Sequence, residues 1–225
     1  MKSPNFIVIG APKSGTTLLY LYLQRHPGIF LPIRKELHYF FYELLRENAN
    51  GPVYTYVFPS LCASREEYAF HYITVGHETA IGEVSPSYLY HYQVSERIKA
   101  ELGDVKIIAL LRNPIDEAFS QYMRLICEKR ETLPFYKALV NEKKRKAAKW
   151  SDLWLYESSS LYTGGIEKYL IVFGHKNVQI VLFEDLFADP QTTMQKIFRS
   201  LGVDTTFVPD TSGGFNRTGL EDQNF

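Results

Sequence analysis

The amino-acid sequence predicts an α/β domain with a mainly parallel central sheet and helices on its flanks. Four short apolar runs, at 6–9, 80–83, 106–111 and 178–183, are continuous rather than alternating, as expected of strands covered on both faces. Helical patterns fall between them, and strand–helix alternation of this kind builds parallel sheets. The sequence has no internal repeat and no low-complexity linker. Its 225 residues therefore read as a single domain, 1–225, long enough to bury a substantial core.

The first strand, 6–9, closes on Gly10 and feeds a helix over 16–25 in which Leu18, Leu19 and Tyr22 fall at helical spacing. The second strand, 80–83, is followed by a helix over 94–102 that leads into the third, 106–111. A helix over 115–127 leaves that strand. Residues 133–160 read as a basic and aromatic helical insertion. A helix over 161–173 enters the fourth strand, 178–183, and another over 192–201 leaves it. Residues 203–225 hold Pro209, Gly213, Gly214 and Gly219 without an apolar period, and read as an extended tail.

Composition narrows the function classes. Hydrophobic residues at 45% and charged residues at 22% are ordinary for a globular protein. The 16 Tyr and 15 Phe imply an aromatic-rich core with Tyr at its margins. Lys and Arg number 25 against 25 Asp and Glu, so the basic footprint of a nucleic-acid-binding protein is missing. Locally, Lys143-Lys144-Arg145-Lys146 with Lys149 reads as a solvated helix face, with steering of an anionic substrate as the alternative. Cys62 and Cys127 lack CxxC spacing, and no His/Cys/Asp cluster has ligand spacing, so neither a disulfide framework nor a metal site is expected. The N-terminal apolar stretch is too short for a signal-peptide core or a membrane span, and a cytoplasmic protein is the expectation. Asn216-Arg217-Thr218 matches a glycosylation sequon but carries no weight without a secretory signal.

The chemistry is concentrated in Gly10-Ala11-Pro12-Lys13-Ser14-Gly15-Thr16-Thr17. A strand, a Gly-rich turn and a helix start place backbone N–H groups around an anion. Gly10 and Gly15 permit backbone angles that a Cβ penalises. Lys13 adds a full positive charge, and Ser14, Thr16 and Thr17 add hydroxyl donors. In the common nucleotide P-loop the Lys and Ser/Thr follow the second Gly. Lys13 precedes it here, so the loop is similar to a Walker A sequence but distinct from it.

Pro12-Lys13-Ser14-Gly15-Thr16-Thr17 resembles the 5′-phosphosulfate loop of sulfotransferases that use 3′-phosphoadenosine 5′-phosphosulfate (PAPS). Leu110-Leu111-Arg112-Asn113-Pro114, with Ala118, Ser120 and Tyr122, resembles that family's 3′-phosphate motif. Arg112 is suited to a bidentate phosphate pair, and Ser120 adds a hydroxyl. Arg34-Lys35-Glu36-Leu37-His38-Tyr39-Phe40-Phe41 is similar to the Lys-Glu-x-His-x-Phe stretch of heparan-sulfate-type and related bacterial members. Leu161-Tyr162, Tyr169-Leu170, Phe183-Glu184-Asp185-Leu186, Asp189-Pro190 and Leu201-Gly202 follow the family's second half. The resemblance runs from residue 6 to about 219 and implies the P-loop-like sulfotransferase fold.

The sequence also departs from the family. Glu117 stands where the 3′-phosphate motif often carries a basic residue. Val84, in Gly82-Glu83-Val84-Ser85-Pro86, replaces a Lys found in some members. A Lys-Gly segment that closes over the nucleotide is not seen after Gly219, so a truncated chain or a site completed by other residues is expected.

The resemblance implies transfer of the sulfuryl group from PAPS, a cosubstrate, to a hydroxyl or, less favoured, an amine acceptor by in-line displacement. As in phosphoryl transfer, positioning and electrostatics dominate. Lys13, with Thr16 and Thr17, neutralises charge on the leaving oxygen. Glu36 is the first choice of general base, and His38 is the second choice or a helper. Lys13, Ser14, Gly15, Thr16, Thr17, Arg112 and Ser120 are the candidate donor-binding residues. The acceptor class stays open among small molecules, lipids and glycans. The aromatic stretches 39–42 and 88–92 line an acceptor pocket in one reading and pack a core in the other. Two rivals are a P-loop kinase or NTPase, with Glu184-Asp185 as its strand-end acid, and a non-catalytic nucleotide-binding protein of the same fold.

Overall fold

The computed structural model describes residues 2–48, 50–52 and 61–210. Five strands form its central sheet: β1 (Phe6–Gly10), β2 (Ile29–Phe30), β3 (Ala80–Val84), β4 (Lys106–Leu111) and β5 (Val178–Leu182). Their order is β2-β3-β1-β4-β5, and every neighbouring pair is parallel. The chain starts in the middle strand, builds β2 and β3 on one side, then crosses to β4 and β5 on the other. Such a reversal opens a crevice beyond the carboxyl ends of the central strands. Both candidate phosphate motifs leave from those ends, one from β1 and one from β4.

Successive side chains of a strand point to opposite faces, and the two faces carry different cores. Ile7, Ile9, Ile81, Ile107 and Ala109 pack with most of the aromatic residues, among them Tyr39, Phe40, Phe41, Tyr88 and Trp154. Phe6, Val8, Ala80, Ile108, Leu110 and Val181 pack under α1 (Thr16–Gln24) and the late helix residues Met194, Ile197 and Phe198. Of the two aromatic stretches, Tyr39, Phe40, Phe41, Tyr88 and Leu89 are thus core, while Tyr42 and Tyr90 are half-buried and Tyr92 is exposed.

The other helices follow the sheet's connections. α2 (Tyr42–Glu47) and α3 (Arg65–Phe70) lie between β2 and β3, and α4 (Val94–Leu102) precedes β4. α5 (Pro114–Cys127) begins with Pro at its first position and Asn113 as its cap, the Asn113 side chain accepting from Ile115 N at 3.0 Å. α6 (Phe135–Val140), α7 (Glu142–Ala147), α8 (Tyr156–Ser160) and α9 (Thr163–Phe173) complete the long β4–β5 connection. α10 (Phe183–Ala188) and α11 (Pro190–Leu201) end the regular structure. Residues 203–210 form no helix or strand. The rest of the expected tail, the sequon and the region after Gly219 lie outside the described residues.

Two expectations are corrected. The fourth apolar run ends its strand at Leu182, and Phe183 opens α10 instead. The basic run on α7 is not a uniformly solvated face. Arg145 is buried and pairs with Glu131 at 2.7 Å, while the Tyr156 hydroxyl donates to the same carboxylate at 2.8 Å. With the Trp154 Nε1 bond to Arg130 O at 3.1 Å, this ties the 133–160 insertion to the end of α5.

Gly82 shows how closely the sheet is packed. It pairs with Phe6, and a Cβ on it would sit 2.1–2.5 Å from Phe6 ring atoms. Gly82→Ala is expected to cost about 1–3 kcal/mol or more by overpacking. Thermal or denaturant unfolding reads the loss, and an unchanged transition would mean that the ring moves aside freely.

Candidate active site

The β1–α1 loop is built to leave donors free. α1 has no side-chain cap and no acidic residue in its first turn, so the N–H groups at its start have no intrahelical partner. Gly15 precedes it with φ 83°, and a Cβ there would also lie 2.8 Å from the Phe183 ring. Lys13 holds the same left-handed region with φ 57°, a cost a non-glycine residue bears only when its surroundings enforce it. Ser14 and Thr16 are buried, and Thr17 is exposed. Burial, together with nearby Arg124 and Arg112, lowers the Lys13 pKa against the opposing pull of Glu128 and Glu117.

Arg112 joins this loop to the second motif. Its Nη1 donates to Lys13 O at 3.3 Å, and its guanidinium lies 4.9 Å from the centre of the Phe183 ring. Ser120, two turns along α5, opens onto the same cleft. The cleft encloses about 1390 Å³ and also meets Lys13, Thr16, Thr17, Lys35, Glu36 and Asp152.

The third motif brings Lys35 and Glu36 to the same cleft. Glu36 and His38 have φ of 63° and 55°, and Leu37 between them is wholly buried. Glu36 N donates to Val84 O at 3.0 Å, and Cys62 N donates to Leu37 O at 3.1 Å. Leu37 anchors the turn. Burial would raise the Glu36 pKa, but His38 and the Lys35 ammonium outweigh it and bring it down to about 2. Lys35 is the firmer partner, at 3.0 Å, since His38 Nε2 stands 3.7 Å away. His38 Nδ1 is buried without a hydrogen-bond partner.

Three groups at the cleft were not among the candidate site residues of the sequence reading. Lys35 Nζ donates to Thr16 Oγ1 at 3.3 Å, Thr17 Oγ1 at 3.0 Å and Glu36 Oε1 at 3.0 Å. It therefore links the phosphate loop directly to the candidate base. Its place in the Lys-Glu stretch was the available signal. Asp152, brought in by the insertion, pairs with His91 at 3.5 Å and opens onto the cleft. Glu117, a departure in the sequence, is wholly buried in α5 and also lines the cleft.

The remaining departure is resolved as core. Val84 is buried, and Glu83 beside it is a sealed structural acid. Glu83 accepts from Tyr68 at 2.6 Å, Ser85 at 2.6 Å and Tyr88 at 2.8 Å, and burial raises its pKa. At the end of β5, Glu184 accepts from Asn113 N at 3.1 Å, so that acid braces the start of α5. Among the described residues no acidic, His or Cys cluster is arranged to hold a metal ion, and no helix is long and apolar enough to cross a membrane.

Comparison with known proteins agrees with this geometry. The family model described as the sulfotransferase family matches residues 4–207. A solved sulfotransferase from Alicyclobacillus acidocaldarius is 37% identical, with a TM-score of 0.91 over 96% of this chain and 88% of that one. The human heparan sulfate glucosamine 3-O-sulfotransferase 3B1 is 27% identical over 96% of this chain and 50% of its own. Mouse sulfotransferase SULT7A1, solved in complex with PAP, is 19% identical with a TM-score of 0.57, covering 91% of this chain and 61% of that one; it shares the fold. The chain spans half or less of the length of the first curated relatives it matches.

Proposed function

Since the chain belongs to the sulfotransferase family, we propose that it transfers the sulfuryl group of PAPS to a hydroxyl acceptor. One observation carries the donor assignment. Two anion-receiving places, the β1–α1 loop and the Arg112–Ser120 wall, open onto a single cleft and are joined by the Arg112–Lys13 bond. That arrangement suits a ligand with two separated phosphate groups. The buried loop hydroxyls, the uncapped helix start and Lys13 fit the 5′-phosphosulfate, and Arg112 with Ser120 fits the 3′-phosphate. The PAP complex of a structural neighbour supports the same choice.

In the proposed reaction, the acceptor oxygen forms a bond to sulfur as the bond from sulfur to the 5′-phosphate oxygen breaks. Lys13 and the loop N–H groups neutralise the charge that builds on that leaving oxygen. Glu36 takes the acceptor's proton. A carboxylate held near 2 is a weak base, and efficiency improves as its pKa approaches the operating pH. The bound sulfuryl group offers Lys35 a competing anion, and loss of the Lys35 contact raises the basicity of Glu36. The products are a sulfate ester, adenosine 3′,5′-bisphosphate and a proton. The acceptor is a small molecule, lipid or glycan with a free hydroxyl.

Adenosine 3′,5′-bisphosphate at about 100 times its Kd is expected to add about 2.7 kcal/mol of stability. For a domain of this size that raises Tm by about 5–10 °C. ATP with Mg²⁺ should leave Tm nearly unchanged, and equal stabilisation by both would favour the kinase reading instead. Transfer from labelled PAPS across a panel of alcohols, glycans and amines then identifies the acceptor.

A further inference from the structure

Glu117 is an acid on the wall of the cleft proposed to receive two phosphates. It lies within the first turns of α5, fully buried, and lines the cleft beside Lys13, Arg112 and Ser120. One carboxyl oxygen accepts from Ser160 Oγ on α8. The other, Oε1, is buried with no hydrogen-bond partner among the described residues. Among the described residues, Lys13 on the β1–α1 loop, Arg112 at the end of β4, Asp152 ahead of α8 and Tyr162 ahead of α9 interact with it electrostatically. Its two favourable charges, Lys13 and Arg112, are the same two that the donor's phosphates would engage.

We propose that Glu117 takes up a proton when the donor binds, so that its side chain turns from a competing anion into a neutral partner of the bound nucleotide. The inference rests on the donor assignment above. A buried carboxylate tolerates its charge only while compensating cations stay close. Phosphate groups draw on those cations and add negative charge to the same low-dielectric space, so the ionised form loses on both counts. Once protonated, the carboxyl gains an O–H, and the unpartnered side of the group can share in a hydrogen bond.

Burial already lifts the Glu117 pKa to about 7, against the lowering by Ser160, Arg112 and Lys13. Donor binding raises it further. Affinity is then highest below the pKa of the free protein. It falls with rising pH, by up to about tenfold per unit, until the pKa of the bound form is passed.

The test is calorimetric titration of the full chain with adenosine 3′,5′-bisphosphate at pH 7.5, in buffers of different ionisation enthalpy. The ligand's phosphates, with second pKa values of about 6, are already dianionic there. Wild type is expected to take up a substantial fraction of a proton per ligand. Glu117→Gln is expected to bind with no such uptake and with a flat affinity between pH 7 and 8.5. Uptake at Lys13 would instead survive in that variant. Infrared difference spectra of wild type need no variant, and should gain a protonated-carboxyl band on binding. Binding by wild type with no uptake and no such band overturns the proposal but leaves the donor assignment standing. Failure of wild type to bind the nucleotide at any pH overturns both.

Discussion

Glu36→Gln is expected to lower turnover by about 10²-fold or more, the range for losing a general base, while leaving donor affinity within about twofold. The substitution keeps the shape of a side chain held on an unusual turn, where Glu36 itself has φ 63° and its N–H is bonded to Val84 O. It removes the carboxylate that now occupies Lys35. Lys35 then stays bonded to the loop hydroxyls of Thr16 and Thr17, so the donor side of the cleft is not dismantled. The effect should appear in kcat, measured with the donor saturating. Because Lys35 and His38 hold Glu36 near 2 in the free protein, Glu36 is ionised throughout the neutral range. The acid limb of kcat/KM that belongs to Glu36 therefore lies well below pH 5. A kcat within threefold of wild type would move the role to His38, whose Nδ1 has no partner in the structure.

Lys13→Ala is expected to affect both binding and transfer. Loss of one charge-stabilising donor at a reacting oxygen typically costs about 10²–10³-fold in kcat, and Lys13 also faces the phosphates in the ground state. The variant should therefore raise the donor KM as well as lower kcat. Its backbone strain complicates a simple reading, since φ 57° suits neither Lys nor Ala. Thermal unfolding separates a folding defect from a site defect, and Lys13→Met provides a longer apolar replacement with the same backbone preference. Unchanged donor titration in a folded variant would remove the loop from the donor site.

Much of the framework could be read before the structure because its signals are local. β1, β3 and β4 are largely apolar runs buried on both faces, whereas the expectation of a covered strand fails for β5, which lies at the sheet edge and leaves Ile180 and Leu182 exposed. β2 has two residues, too few for any period, and shows itself only through its pairing with Ala80 and Ile81. The phosphate loop was legible because Lys13, Gly15 and the hydroxyls act within one turn. Lys35 was not, since its role depends on residues 18 and 19 positions away coming within hydrogen-bond reach. Arg145 misled for the opposite reason. A basic run suggests solvent, and only the fold supplies Glu131 as a buried partner. Glu117 stood out as a departure, but its burial and its orphan oxygen needed α8 and the ends of two strands in place.

Glu83 has a consequence beyond the stability of the strand that carries it. Three hydroxyls fasten it at the end of β3, and the next residue's carbonyl holds Glu36. β3 neighbours β1, whose own end carries Lys13. In the proposed reaction, the base and the leaving-group lysine are thus carried by adjacent strands of one sheet, about 4.8 Å apart, a ruler set by strand pairing. The insertion that supplies Asp152 and Ser159 to the cleft stands apart from that ruler.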